Sequence, residues 1–256
     1  MAELLLRGTE LGAIDAVLFD KDGTLSISEP QLFTLAEARV FLCLEQVSPE
    51  RRETLKDLLQ RAYGLRADGV CPAGITAVAT RDHNLIATAT ALVQVGLGWP
   101  EALAISEQVF AQADAVDARR SAASTTPTSS TTEGLVPWLE QLQAAGVRCA
   151  VISNDDMAGI EHFLAAHGLR SFFSGLWSAE HRPRKPDPAA VHGLCAELGV
   201  QPHRCALIGD ANSDLRIAVA AGIPHPLALG YTAAWRTPPP PAEPHPLVHA
   251  WSELSV

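Results

Sequence analysis

Lysine is scarce in this sequence. The 256-residue chain has 19 basic residues, of which only Lys21, Lys56 and Lys185 are lysine. A residue used so sparingly is not general surface charge, so each position poses its own question. Basic surface is lacking as a whole. A net charge of −10 excludes nucleic acid or an anionic membrane as a general partner, although it permits a local basic pocket. The five cysteines are scattered and odd in number, with no C-x-x-C pair. No disulfide framework is expected, and a reducing compartment, the cytoplasm, fits best. Cys149 and Cys205 sit in apolar runs and read as buried, inert thiols. Long hydrophobic runs are missing too. No segment offers about 18 uncharged apolar residues, so no membrane span is expected. The opening MAELLLRGTELGAIDAV lacks the apolar stretch of a signal peptide.

What the chain does have is a substantial apolar fraction, 47% hydrophobic against 19% charged, enough for a sizeable core. Short apolar runs alternate with longer amphipathic ones. Strands are predicted over 13–19, 148–153, 174–179, 204–210 and 225–230, and helices over 135–146, 188–199 and 214–222, with glycine stops. The connections are too long for hairpins, which implies an α/β core with a parallel sheet. Residues 30–120 break the alternation with four helical segments in a row, one opening at Ser48-Pro49 as an N-cap with proline in the first turn. An inserted helical subdomain is expected over 28–127, between core segments 1–27 and 128–256. Its joints are SISEP (26–30) and the Ser/Thr-rich SAASTTPTSSTT (121–132), a hinge or simply a surface loop. The proline-rich RTPPPPAEPHP (236–246) reads as an extended surface segment.

Chemistry concentrates where the apolar runs end. AVLF runs into Asp20 and Asp22, AVI into Ser153 and Asn154, and ALIG into Asp210. In an open parallel sheet, ligands bind beyond the carboxyl ends of the strands, so three such endings converge on one edge. Lys185, in RKPDP, lies between the last two. Singly, each feature has an ordinary explanation. Asp22-Gly23 makes a common hairpin turn, Ser153-Asn154 a helix N-cap, and Asp214 an acid favoured at a helix start.

In order, FDKDGTL, VISN, RKPDP and GDANSDL resemble the four motifs of the haloacid dehalogenase superfamily, and the helical block is similar to its cap. The resemblance extends over residues 13–230. It implies a Rossmann-like core, a Mg²⁺ cofactor and an aspartyl-phosphate intermediate. By that resemblance Asp20 is the nucleophile and Asp22 the acid and base, while Lys185 stabilises the phosphoryl charge. Ser153, Asn154 and Thr24 contact the substrate. Asp20, the Asp22 carbonyl, Asp210 and Asp214 hold the metal, Asp214 either through waters or through Lys185. Lys21, between the two aspartates, is expected to point away from the nucleophile as a structural or surface residue.

The second aspartate argues against a dehalogenase, because halide needs no acid to leave. The lack of a membrane span argues against an ion pump, and Lys56, on a solvated helix, against a phosphonate hydrolase. A phosphatase acting on a small phosphorylated metabolite, phosphoglycolate-like, is the expectation. A sugar-phosphate mutase and a non-catalytic module remain the alternatives. Arg66, in the glycine-rich 64–74 segment, is a candidate for gripping a substrate carboxylate, and 80–84 is a second candidate segment. A monomer or homodimer is expected.

Overall fold

A computed structural model describes residues 2–123 and 129–256. In chain order it opens with β1 (Ala2–Leu6), β2 (Thr9–Ile14), β3 (Ala16–Phe19) and β4 (Ser26–Ile27). Next come α1 (Glu29–Glu45), α2 (Pro49–Tyr63), β5 (Leu65–Arg66), β6 (Gly69–Val70), α3 (Ile75–Val78), α4 (Arg81–Gln94) and α5 (Trp99–Ala123). After these lie β7 (Ser130–Thr131), α6 (Leu135–Ala144), β8 (Arg148–Ile152), α7 (Met157–Ala166) and β9 (Phe173–Trp177). The chain closes with α8 (Ala189–Leu198), β10 (Cys205–Gly209), α9 (Asn212–Ala220), β11 (Ala228–Tyr231), β12 (Leu247–Val248) and β13 (Leu254–Ser255). Two compact units result, one of residues 1–28 and 129–256, the other of residues 29–128.

The first unit is built on a six-stranded sheet in the order β12-β11-β10-β3-β8-β9, parallel throughout. Its central strands are apolar on both faces because helices cover both, as a parallel sheet requires. All four residues of β3 and all five of β10 are buried. Phe19 is fully enclosed and meets Phe173 and Trp251 edge-on at 6.1 and 5.9 Å. Burial of one such side chain contributes about 2–3 kcal/mol. Register puts Phe19 beside Ile208 on one side and Val151 on the other, so β3, β8 and β10 finish level.

The expected strand over 13–19 divides at Asp15. Its carboxylate takes two bonds from Arg204 at 3.1 Å, and its backbone bonds to Arg204 and Arg148. Residues before that point belong to an antiparallel sheet, β13-β1-β2. Arg7 and Gly8, both at positive φ, make the turn between β1 and β2, which the sequence reading left out. Strand β11 begins only after a 3₁₀ turn at His225–Leu227. The helix α7 is also additional to the expected elements.

The second unit has its own core, in which Leu55, Leu59, Tyr63, Leu92 and Phe110 are buried. Three of the four expected helical segments form α1, α2 and α5, with Ser48 and Pro49 at the start of α2. The segment 75–96, expected to be one helix, divides into α3 and α4 at Ala79 and Thr80. There the Thr80 hydroxyl caps α4 by accepting from the His83 N–H. Between α2 and α3 the glycine-rich segment forms the β5–β6 hairpin. Of the Ser/Thr-rich stretch, residues 124–128 lie outside the described residues. Its flanks end α5 and form β7, paired with β4. No helix among the described residues is long and apolar enough to cross a membrane.

Candidate active site

Asp20 directly follows β3, and its N–H donates to the Ile208 carbonyl at 2.9 Å, carrying the ladder one residue past the strand. Asp210 follows β10 next door, and Ser153 follows β8 on the other side. Asp214 stands in the first turn of α9, where its Oδ2 accepts from the Ala211 N–H at 3.2 Å. Asp210 thus precedes the helix rather than sharing a face of it with Asp214. Oxygens of Asp20, Asp210 and Asp214 lie within 4.8 Å of one another, and all three residues are buried.

Lys185 binds this group together. Its Nζ donates to Asp20 Oδ1 at 2.7 Å and to the Ile152 carbonyl at 3.3 Å, and pairs with Asp214 Oδ1 at 2.6 Å. Burial pushes its ammonium down, but Asp20 and Asp214 more than restore it, so Lys185 stays protonated. Burial also raises the Asp20 carboxyl, to about 7. Lys185 pulls against that rise, while Asp214 and Asp22 add to it. Asp210 is raised well above the carboxylate range, first by burial and then by Asp20 and Asp214, and the Trp235 indole offsets part of this.

Asp22 takes different partners. It pairs with Lys21 Nζ at 2.8 Å, and Lys21 pairs also with Asp155 at 2.9 Å. Lys21 makes its ion pairs away from Asp20, and it is buried, with only 7% of its surface exposed. Its role is therefore structural and not that of a surface lysine. The alternating directions of neighbouring residues send Asp20 and Lys21 to different sides. Asp155 is a partner that sequence reasoning missed, although the acidic pair after Ser153-Asn154 was its signal. Burial raises Asp155, and Lys21 counters the rise.

The turn after Asp20 depends on Gly23, at φ +82°. A Cβ there would lie 2.3 Å from Trp235 Nε1 and 2.5 Å from Asp210 Oδ2. Gly23→Ala is expected to cost about 2 kcal/mol or more from positive-φ strain plus the clash. Activity should fall at least about tenfold as Asp210 is displaced. Urea unfolding and initial rates check both, and wild-type values would contradict the geometry.

Thr24 is fully buried in the same turn, its carbonyl accepting from Thr132 Oγ1 at 2.9 Å. Ser153 is buried, and its hydroxyl accepts from the Asp155 N–H at 3.1 Å. Asn154 is half-buried beside it. Neither residue caps α7, whose N-cap is Asp156, bonded to the Gly159 N–H at 2.7 Å. Arg66 belongs to the second unit, exposed on β5, with its guanidinium 3.2 Å from Cys71 Sγ.

The donor set suits a hard divalent cation. It consists of carboxylate oxygens only, crowded enough that burial and mutual repulsion raise the carboxyls of Asp20 and Asp210. Among the described residues, Lys185 is the one cation paired with Asp20 and Asp214.

The family model for haloacid dehalogenase-like hydrolases matches residues 14–222, most of the chain. The chain belongs to the haloacid dehalogenase-like hydrolases. It is 28% identical over 218 residues to a phosphoglycolate phosphatase of Thiobacillus denitrificans, covering 82% of this chain and 81% of that one. A phosphoglycolate phosphatase of Mannheimia succiniciproducens is 31% identical over 109 residues, which span 42% of this chain and 47% of the relative, under half its length. Among solved structures, a predicted phosphoglycolate phosphatase from Haemophilus somnus superposes with a TM-score of 0.66 at 22% identity. That match covers 94% of this chain and 96% of the other and carries the fold of this hydrolase, not its substrate.

Proposed function

We propose that this hydrolase is a Mg²⁺-dependent phosphatase of a small phosphate monoester, and that Asp20 is its nucleophile. The observation that carries the reading is the buried Asp20 carboxylate, bonded to Lys185 and grouped within 4.8 Å with Asp210, past the end of the neighbouring strand, and Asp214, in the first turn of α9. Two relatives named phosphoglycolate phosphatase support the substrate class.

An Asp20 oxygen attacks phosphorus, and the bond from phosphorus to the leaving oxygen breaks. Asp22, protonated for this step and turned from Lys21 to that oxygen, gives it the proton. Water then attacks the acyl phosphate at phosphorus, Asp22 takes the water's proton, and Asp20 is regenerated. Lys185 fixes the Asp20 carboxylate and faces the charge on the transferring group. Ser153 and Asn154 donate to phosphoryl oxygens, and Thr24 supports the turn beneath them. Asp20, the Asp22 carbonyl and Asp210 would hold Mg²⁺, with Asp214 acting through Lys185. The ion, when bound, neutralises the like charges of nucleophile and phosphate.

Phosphate release from a panel of small monoesters including phosphoglycolate, each with Mg²⁺ or chelator, tests the reading. Release that requires Mg²⁺ is expected. Isomerised sugar phosphate without free phosphate would make the enzyme a mutase, and no reaction with any member would overturn the phosphatase reading.

A further inference from the structure

Trp235 sits in the loop after β11 with 5% of its surface exposed, and its Nε1–H donates to Asp210 Oδ2 at 2.6 Å. An indole N–H can only donate, so a buried one aimed at a carboxylate fixes that carboxylate's rotation. The room for it is made by Gly23, where any side chain would meet Nε1. The proline-rich residues that follow Trp235 run along the surface as expected, and side chains of α9 hold them there. Asn212, the first residue of α9, donates from Nδ2 to the Pro240 carbonyl at 3.2 Å and accepts the Ala242 N–H on Oδ1 at 2.7 Å. One helical turn on, Arg216 pairs with Glu243 at 2.7 Å. The chain then returns to the sheet, where the Gly230 N–H donates to the Pro246 carbonyl at 2.9 Å. Residues 235–243 therefore contact Asp210, Asn212 and Arg216 in order, strapping the loop that carries the Asp210 carboxylate.

We infer that Trp235 is a positioning residue for the metal site, with its indole N–H holding the Asp210 carboxylate in its ligating orientation and the proline-rich strap holding Trp235. The inference rests on the metal-dependent reading above. It assigns a role to a segment that matched no motif. Proline suits the strap because its backbone is already restricted, so holding it in one conformation costs little entropy.

The test is Mg²⁺ affinity of Trp235→Phe against wild type, without substrate, by calorimetry and by the rise of the melting temperature with Mg²⁺. Phenylalanine keeps the apolar contact and removes the donor. A loss of about 10–100-fold in Mg²⁺ affinity is expected, with metal-free melting little changed. Wild-type affinity in the variant would overturn the inference. Should the variant not fold, wild-type NMR decides. The indole N–H of Trp235 must shift on Mg²⁺ addition more than those of Trp138 and Trp177, and an unmoved signal overturns the inference. Failure of the phosphatase reading is separable from this test. A chain that binds Mg²⁺ through Asp210 but hydrolyses no monoester would sink that reading alone. An active phosphatase whose Trp235→Phe variant binds Mg²⁺ normally would sink only this inference.

Discussion

Replacing Asp20 with Asn is expected to lower phosphate release by on the order of 10⁴-fold or more, while the protein stays folded. The amide keeps the shape of the side chain and can still meet the turn, but it cannot form an acyl phosphate. The same variant carries a pH signature in chelator. Burial raises the metal-free Asp20 carboxyl from 3.8 to about 7. A carboxyl raised on folding contributes stability that is fully present below its ordinary value and lost as pH climbs through the raised one. The metal-free wild type therefore loses stability through this group between about pH 4 and 7, and the Asn variant does not. Urea unfolding at several pH values should show the variant gaining on the wild type as pH rises. A difference independent of pH would mean that Asp20 is not held up by burial. Residual activity near that of the wild type would remove Asp20 from the chemistry.

Lys185→Ala is expected to have the largest effect on stability. It removes the cation bonded to Asp20 and Asp214 and leaves three carboxylates buried together. Breaking a buried pair in this way costs about 3–5 kcal/mol. Activity should fall by about 10²–10³-fold or more through lost charge stabilisation alone. Added Mg²⁺ should restore part of the stability, by relieving the repulsion, but not the activity. Lys185→Arg should keep more of the stability than alanine and still lose activity. A planar guanidinium cannot point at Asp20, Asp214 and the Ile152 carbonyl as one ammonium does. Full activity in Lys185→Arg would contradict the three-way geometry.

How far the sequence was readable follows from where each signal lies. The parallel core was legible because β3, β8 and β10 are short apolar runs that stop at polar residues, and their shared register brings those stops to one edge. Asp20 and Asp210 could be named in advance for the same reason, and Lys185 and Asp214 from the resemblance of their motifs. The fold bonds Lys185 to Asp20 and Asp214 and groups Asp210 with the two aspartates within 4.8 Å. Asp15 was read as part of a strand because one polar residue in an apolar run leaves the periodicity nearly intact. Only its bonds to Arg204, distant in sequence, reveal the break. Burial of Lys21 was hidden too, since pairing with both Asp22 and Asp155 depends on the meeting of two separate loops. Trp235 had no local signal at all. Its partner is 25 residues away, and the prolines after it indicate an extended chain without indicating what that chain lies against.

The central claim is that a carboxylate of this chain, and not water, makes the first bond to phosphorus. The stereochemistry at phosphorus tests it most directly, using a phosphorothioate monoester made chiral by sulfur and two oxygen isotopes and hydrolysed with Mg²⁺ in water of the third isotope, so that the released thiophosphate is itself chiral. Two successive in-line displacements, by Asp20 and then by water, predict overall retention of configuration. Inversion would show a single displacement by water and contradict the account.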